Sequence, residues 1–274
     1  MLIAQISDLH IRMPGQKAYR RVETDSYLPP AVHALNRLNP APDVVIISGD
    51  LTDFGKREEY AHLKNMLNAL RAPYFLMPGN HDARETLMET FTGHDYLRGI
   101  DGFVQYAVED YPVRLLMLDT VVPMHGHGTL CARRLDWLRA RLAEQPERPT
   151  VIAMHHPPFL TGIEYMDNIG LLEGAEALKA IVSAHSNVER ILCGHLHRSI
   201  FRRFGGTIAS TCPSPAHQIA LNLQPDAPGQ FVMEPPAFHL HDWRDGALIT
   251  HHAYIDDYPG PYPFHDENGG LIDE

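Results

Sequence analysis

Only three cysteines stand in 274 residues: Cys131, Cys193 and Cys212. They are odd in number and far apart, so neither a disulfide framework nor a CxxC zinc site is written into the chain. They read as small buried or half-buried thiols, and a reducing cytoplasm is the expected compartment. Long apolar runs are missing as well; none approaches the ~20 residues that span a bilayer. The start, Met1-Leu2-Ile3-Ala4-Gln5-Ile6-Ser7-Asp8, lacks a basic lead and meets a carboxylate at once, so it reads as a first strand and not a secretory signal. Basic residues are the minority, 23 against 34 acidic ones, for a formal net charge of −11. Such a chain repels nucleic acid and anionic membranes unless a bound cation reverses the local sign. Arg20-Arg21 and Arg202-Arg203 are short, isolated surface pairs and do not make a nucleic-acid groove. A G-x-S-x-G elbow is absent, which argues against a serine esterase.

What is present is ordinary in bulk and unusual in one residue type. A hydrophobic share of 44% with 21% charged residues supplies a buried core and excludes disorder as the main state. The length allows one large domain or two small ones. The chain holds 18 His, about one residue in 15. That number directs attention to where they lie.

Short apolar runs alternate with helix-like stretches. Leu2–Ile6, Val44–Ile47, Tyr74–Met77, Leu115–Leu118, Val151–Met154 and Ile191–Cys193 read as buried strands. Between them, Tyr60, Leu63, Leu67 and Leu70, and again Leu135, Leu138 and Leu142, recur at helical spacing. Strands alternating with helices imply a layered α/β core. Beyond Cys193 the pattern changes to strands without helices: Ser199–Phe204, Thr207–Ser210, His217–Leu223, Ala237–His241 and Ala247–Ala253. A domain over 1–224 is expected, followed by a Pro-, Gly- and His-rich extension over 225–274 that serves as a cap or oligomerisation arm. The long connection Pro157–Gly170 is of the kind that often carries function.

Five short motifs each follow an apolar run: Asp8-Leu9-His10, Gly49-Asp50, Gly79-Asn80-His81-Asp82, His155-His156 and Gly194-His195-Leu196-His197. Ligands of open α/β sheets gather outside the carboxyl ends of strands, so five such ends put their polar groups on one rim. Residues i and i+2 of an extended strand share a side, which would let Asp8 and His10 reach one ion, and His195 and His197 likewise. Gly49, Gly79 and Gly194 each precede a candidate ligand and allow close backbone approach where a crowded ion must fit. Mixed nitrogen and carboxylate donors suit Zn, Mn, Fe or Co better than Ca or Mg. The candidate donors are Asp8, His10, Asp50, Asn80, His156, His195 and His197. Seven exceed what one four-coordinate ion needs, and with Asp50 shared they serve two ions. Such a pair, roughly 3.5–4 Å apart, clamps the attacking and leaving oxygens of an in-line phosphoryl displacement. Two divalent ions, two Asp and one hydroxide leave about +1, which a phosphodiester monoanion neutralises.

With these five elements in this order, residues 1–200 resemble the calcineurin-like metallophosphoesterases, and most nearly the class III cyclic-nucleotide phosphodiesterases and related bacterial glycerophosphodiesterases. The start on the first motif, the HHPP element and a late PAHQI carry the nearer likeness. The resemblance implies a four-layer α/β/β/α sandwich with a C-terminal β-rich extension. It implies one metal held by Asp8, His10 and His197, a second by Asn80, His156 and His195, and Asp50 bridging them. His155 then packs or hydrogen-bonds nearby, while His81 and His217 face substrate together with Asn80 and His156. Purple acid phosphatases of the same superfamily carry a tyrosine three residues after the GD aspartate; here Asp53 stands there, so a divalent pair without a tyrosinate–iron(III) centre is expected. Asp53 reads first as a helix N-terminal carboxylate, with a partner behind a metal ligand as the second choice. Asp82 reads as a helix cap or as a group orienting His81.

The expected activity is hydrolysis of a small phosphodiester, of glycerophosphodiester or cyclic-nucleotide type, by a hydroxide made on the cation pair, with His81, Asp50 and Asn80 as catalytic residues. A phosphomonoesterase or nuclease on the same scaffold, or a non-catalytic binding scaffold, are the alternatives. No nucleic-acid polymer and no membrane insertion is expected, and relatives that assemble through C-terminal strands imply a homodimer or larger oligomer. The tail histidines His239, His241, His251, His252 and His265 are expected to pack or to make an intersubunit contact, since their spacing repeats no ligand pattern.

Overall fold

A computed structural model of the chain describes residues 1–272. The strands are β1 (Leu2–Ile6), β2 (Val44–Ser48), β3 (Tyr74–Met77), β4 (Tyr106–Val108), β5 (Arg114–Leu118), β6 (Gly128–Thr129), β7 (Thr150–Met154), β8 (Leu171–Glu173), β9 (Val188–Cys193), β10 (Ile200–Phe204), β11 (Thr207–Thr211), β12 (Gln218–Ile219), β13 (Phe231–Val232), β14 (Ala237–Arg244) and β15 (Ala247–Tyr254). The α-helices are α1 (Leu28–Arg37), α2 (Arg57–Leu67), α3 (Arg84–Thr90), α4 (Ala132–Glu144), α5 (Glu164–Asp167) and α6 (Ala175–Ser183).

Two sheets carry the fold, one in the order β15-β14-β1-β2-β3 and one in the order β10-β11-β9-β7-β5-β4. β1, β2 and β3 run parallel, as do β5, β7, β9 and β11. Every residue of β2, β5 and β7 is buried, as strands covered on both faces must be. The covering helices use one stripe each: Leu28, Ala31, Val32 and Leu35 on α1, Tyr60, Leu63 and Leu67 on α2, Leu135, Leu138 and Leu142 on α4. The result is the four-layer α/β/β/α arrangement. Gln5 ties the inner faces together: its amide donates to the Cys193 carbonyl at 3.0 Å and the Ser48 hydroxyl at 2.9 Å.

Several boundaries differ from the sequence reading. α2 stops at Leu67, and Leu70 is buried in the turn beyond it. Of the expected strand His217–Leu223 only Gln218–Ile219 pairs, with Phe231–Val232. The expected C-terminal extension divides. β14 lies antiparallel on β1, with Ile3 opposite His241, so residues 237–254 form one side of the first sheet. From Asp256 onward the described residues are exposed, and residues 273–274 lie outside the described residues. No helix among the described residues is long and apolar enough to cross a membrane.

Candidate metal centre

The five motifs sit in loops that leave the carboxyl ends of β1, β2, β3, β7 and β9. Hydrogen bonds lace these loops together. Asp8 N–H donates to the Gly49 carbonyl at 3.0 Å, and His10 N–H to the Asp50 carbonyl at 2.9 Å. His195 N–H donates to the Asp8 carboxylate at 2.9 Å. Asp82 neither orients His81 nor caps a helix by its side chain. Its buried carboxylate accepts from Leu51 N–H (2.9 Å), Gly79 N–H (2.8 Å) and the Tyr60 hydroxyl (2.9 Å), pinning the Asp50 turn to the Asn80 turn.

The backbone of this region is costly. Asp8, His10, Asp50, His195 and His197 all adopt left-handed φ, between 46° and 70°. A non-glycine residue there costs on the order of 1–3 kcal/mol and persists where its surroundings fix it, typically at functional sites. The observation also corrects the i, i+2 argument. Asp8 and His10 lie beyond the end of β1, and His195 and His197 beyond β9, so left-handed turns and not strand pleating aim both pairs inward.

Four donors meet at one point. His197 Nδ1–H donates to the His217 carbonyl at 2.9 Å, which leaves Nε2 a lone pair. His10 Nδ1 lies 3.3 Å from an Asp53 carboxylate oxygen. The two Nε2 atoms face one another at 3.2 Å, with Asp50 3.5 Å from His10 and Asp8 3.5 Å from His197. A proton on His10 Nε2 makes this contact a hydrogen bond, and a cation between the two nitrogens would take that proton's place. Burial pushes His10 down, yet the Asp53 hydrogen bond and the charges of Asp50, Asp53 and Asp8 outweigh it and its pKa is raised. Burial holds His197 well below its usual value.

A second group lies beside the first. His155, His156 and His195 bring ring nitrogens within 4.8 Å of one another. Burial keeps His156 far below its ordinary pKa and His195 near 3, so both stay neutral, as metal ligands must. His195 Nε2 is buried without a partner. His156 Nδ1 meets the Thr120 hydroxyl at 2.8 Å; its Nε2 lies 3.1 Å from the Gly126 carbonyl, a contact it must exchange for a cation. Asn80 and Asp50 border this group: the Asn80 amide is 3.1 Å, and an Asp50 oxygen 3.4 Å, from His155 Nε2. Asp50 therefore stands between the two groups. Burial raises Asp50, but His155, His81 and His10 outweigh it and hold it well below the usual carboxylate range. Asp8, where burial dominates, is pushed up to about 6. Ring nitrogens facing one another, an unpartnered His195 Nε2 and buried carboxylates together fit a pair of divalent cations.

All seven sequence-predicted donors are brought together, and His81 and His217 stand beside them. His81 is half-buried, with Nδ1 2.9 Å from the Asp53 carbonyl and its ring edge-on to His10. His217 is buried, packed on Tyr19 and Phe231, with Nδ1 unpartnered. Sequence reasoning misplaced Asp53. It lies four residues ahead of α2 and meets His10, His81 and Arg12, so it backs a candidate ligand and does not cap the helix. Thr120, and the extent to which His155 is enclosed, had no local signal.

The model of the calcineurin-like phosphoesterase family matches residues 1–199. The chain is 39% identical over 274 residues to a protein of Arcobacter nitrofigilis named as a probable glycerophosphodiester phosphodiesterase, covering all of both chains. It is 34% identical over 272 residues to a probable cyclic nucleotide phosphodiesterase of Rhodopseudomonas palustris, covering 97% of each. Its fold matches a dimetal phosphatase from Danio rerio with a TM-score of 0.66 at 16% identity, over 94% of this chain and 97% of that one. Five laced motif loops around two groups of inward-facing donors, and a family match over most of the length, place this chain in the calcineurin-like phosphoesterase family.

Proposed function

We propose that the chain hydrolyses small phosphodiesters at a site holding two divalent cations, one by Asp8, His10 and His197, the other by Asn80, His156 and His195, with Asp50 shared. The observation that carries this reading is the pair of Nε2 atoms of His10 and His197 facing one another at 3.2 Å, flanked by Asp8 and Asp50. Zn, Mn, Fe and Co suit the donor set. When bound, such a pair lowers the pKa of water toward neutrality and clamps the oxygens of an in-line displacement. The rest falls to side chains. Asp53 holds His10 and, through its carbonyl, turns His81 so that its second ring nitrogen is free for substrate. A protonated His81 donates to the departing alkoxide oxygen as the P–O bond breaks and water supplies the new one. His217, against Tyr19 and Phe231, forms a wall of the recess.

The names of the relatives support glycerophosphodiesters and cyclic nucleotides as substrate classes. After reconstitution with each cation, kcat/KM is measured on glycerophosphodiesters, 3′,5′-cyclic nucleotides, aryl diesters and the matching monoesters. Diesters turn over faster than monoesters, and the metal-free protein is inactive. A preference for monoesters refutes the diester reading. We assign the protein to the cytoplasm, supported by three free cysteines. We also assign it to a homo-oligomer, supported by the open edge of β15 and by the exposed Tyr254, Tyr258, Tyr262 and Phe264 in the C-terminal segment; sedimentation gives the state.

A further inference from the structure

The donors of the centre come from two sheets. Asp8, His10, Asp50 and Asn80 leave the ends of β1, β2 and β3; His156, His195 and His197 leave the ends of β7 and β9. Such a centre keeps its shape only if the sheets are held in register. Between β1 and β9 the Gln5 amide does this. Between the β3 and β5 sides the link is a buried ion pair that belongs to none of the five motifs. Arg84, the first residue of α3, donates from Nε and one terminal nitrogen to the Asp119 carboxylate at 2.5 and 2.7 Å. That carboxylate is fully buried and also accepts Val104 N–H and Val121 N–H, each at 2.9 Å. The Asp119 carbonyl accepts from Arg134 at 2.9 Å, and the Arg84 and Arg134 guanidiniums lie 5.3 and 4.6 Å from the centre of the Phe103 ring. Each end of the pair continues into a candidate ligand. Arg84 follows Asn80 within the turn that Asp82 pins, where Ala83 N–H donates to the Tyr60 hydroxyl at 2.9 Å. Asp119 is followed by Thr120, whose hydroxyl accepts His156 N–H at 3.3 Å and lies 2.8 Å from the ring Nδ1.

We infer that Arg84 and Asp119 are positioning residues: their pair sets Asn80 against His156 across the two sheets, and through that spacing sets how tightly the cation pair is held. Stability alone does not call for a buried ion pair, because desolvation offsets its attraction and apolar side chains of similar volume often serve as well. What the guanidinium fork adds is direction. Two parallel N–H···O bonds fix distance and angle together, which a lone ammonium does not. β5 carries a second such pair at its start, where fully buried Arg114 grips Glu109. The other partners of Arg114 are Glu144 and the Arg141 carbonyl, and none of these lies in the centre. One strand thus has the same interaction at both ends, and only the Asp119 end joins the sheets beside the candidate ligands. The inference rests on the two-cation reading above.

The test uses Mn(II) alone, in equilibrium dialysis of the full chain at fixed pH without substrate, at a temperature where thermal melts show every variant folded. Wild type binding fewer than two ions overturns the two-cation reading, and this inference with it. Given two, Arg84→Lys, which keeps the charge and loses the fork, weakens Mn(II) binding roughly 10–100-fold, the usual loss when a group behind a metal ligand is altered. Arg114→Lys makes the same change at the other end of β5 and leaves binding within about threefold of wild type. Equal weakening by the two variants marks a general loss of packing and refutes the role, as does unchanged binding in Arg84→Lys. Should Arg84→Lys not fold, Thr120→Val decides. It leaves the ion pair intact and removes the hydroxyl that carries its position to His156, so binding must fall by the same order; wild-type affinity in Thr120→Val overturns the inference.

Discussion

Two regions of this molecule bury histidines, and only one of them has the marks of a metal centre. In the β14–β15 hairpin, His239 and His241 are fully buried. Burial pushes His239 down to about 3 and His241 well below its usual value, as it does for His195 and His197. The difference lies in what the ring nitrogens meet. His239 Nε2 and His252 Nδ1 share the Ser199 hydroxyl at 2.8 and 2.9 Å, and His241 spans the Thr250 hydroxyl and the Gln5 amide oxygen at 2.9 and 3.2 Å. These are neutral partners in an ordinary hairpin whose left-handed residues are Asp245 and Gly246 at its tip. In the centre, nitrogens face nitrogens and carboxylates, on five left-handed non-glycine residues. Burial, number of histidines and an unpartnered ring nitrogen, which His239 Nδ1 also is, do not separate the regions; ring nitrogens facing one another and carboxylates on a strained backbone do.

The comparison can be broken by substitution. The largest effect is expected at Asp50, which stands between the two donor groups. Asp50→Ala loses bound metal and turnover together, as read by elemental analysis and a diester assay. Two cations retained per chain would refute its bridging place. Next is His81→Ala, which keeps the metals and lowers kcat by about 10²–10⁴-fold, the usual scale for lost acid–base help. An unchanged rate on a diester with a poor leaving group would remove His81 from the reaction.

The pH response of the metal-free protein sharpens the contrast. His195, His217 and His239 sit near 3 when folded, below the usual 6.5. In that window the unfolded chain binds more protons, so these groups add stability above about pH 6.5 that is lost as pH falls toward 3. Asp8 at about 6 and His155 at about 9 are raised and act in the opposite sense, their contributions fading as pH climbs through those values. Thermal melts should therefore peak near neutrality. Bound cations protect only the centre's share on the acid side, and the loss tied to His239 remains; complete protection by metal would contradict the separation of the two regions.

The smallest effect belongs to the hairpin. His241→Leu leaves the Gln5 oxygen unpaired, while the Thr250 hydroxyl keeps its bond from Arg190, and costs on the order of 1–3 kcal/mol in denaturant unfolding. The variant still binds two cations, and loss of either would bring the hairpin into the metal centre.

Much of the architecture could be read locally. Apolar runs ending in Asp8, Asp50, Asn80, His155 and His195 carried the strand ends, and leucine spacing carried α2 and α4. What could not be read depends on distant partners. Nothing near Ile3 announces that His241 will lie opposite it. Asp53 resembles any residue ahead of a helix until His10 is placed beside it. The glycines before three ligands signalled crowding correctly, but the crowding atoms, from His155 at Gly49, Asp50 at Gly79, and Ser7 and Ser48 at Gly194, come from distant parts of the chain. The i, i+2 rule put Asp8 and His10 together for a reason that left-handed turns replace.

Anomalous scattering from crystals of the Mn(II)-loaded protein tests the central claim most directly. Two peaks are expected, roughly 3.5–4 Å apart. One should lie among Asp8, His10 and His197 and the other among Asn80, His156 and His195, with Asp50 touching both. A single peak in the centre, or a peak at His239 and His252, would contradict it.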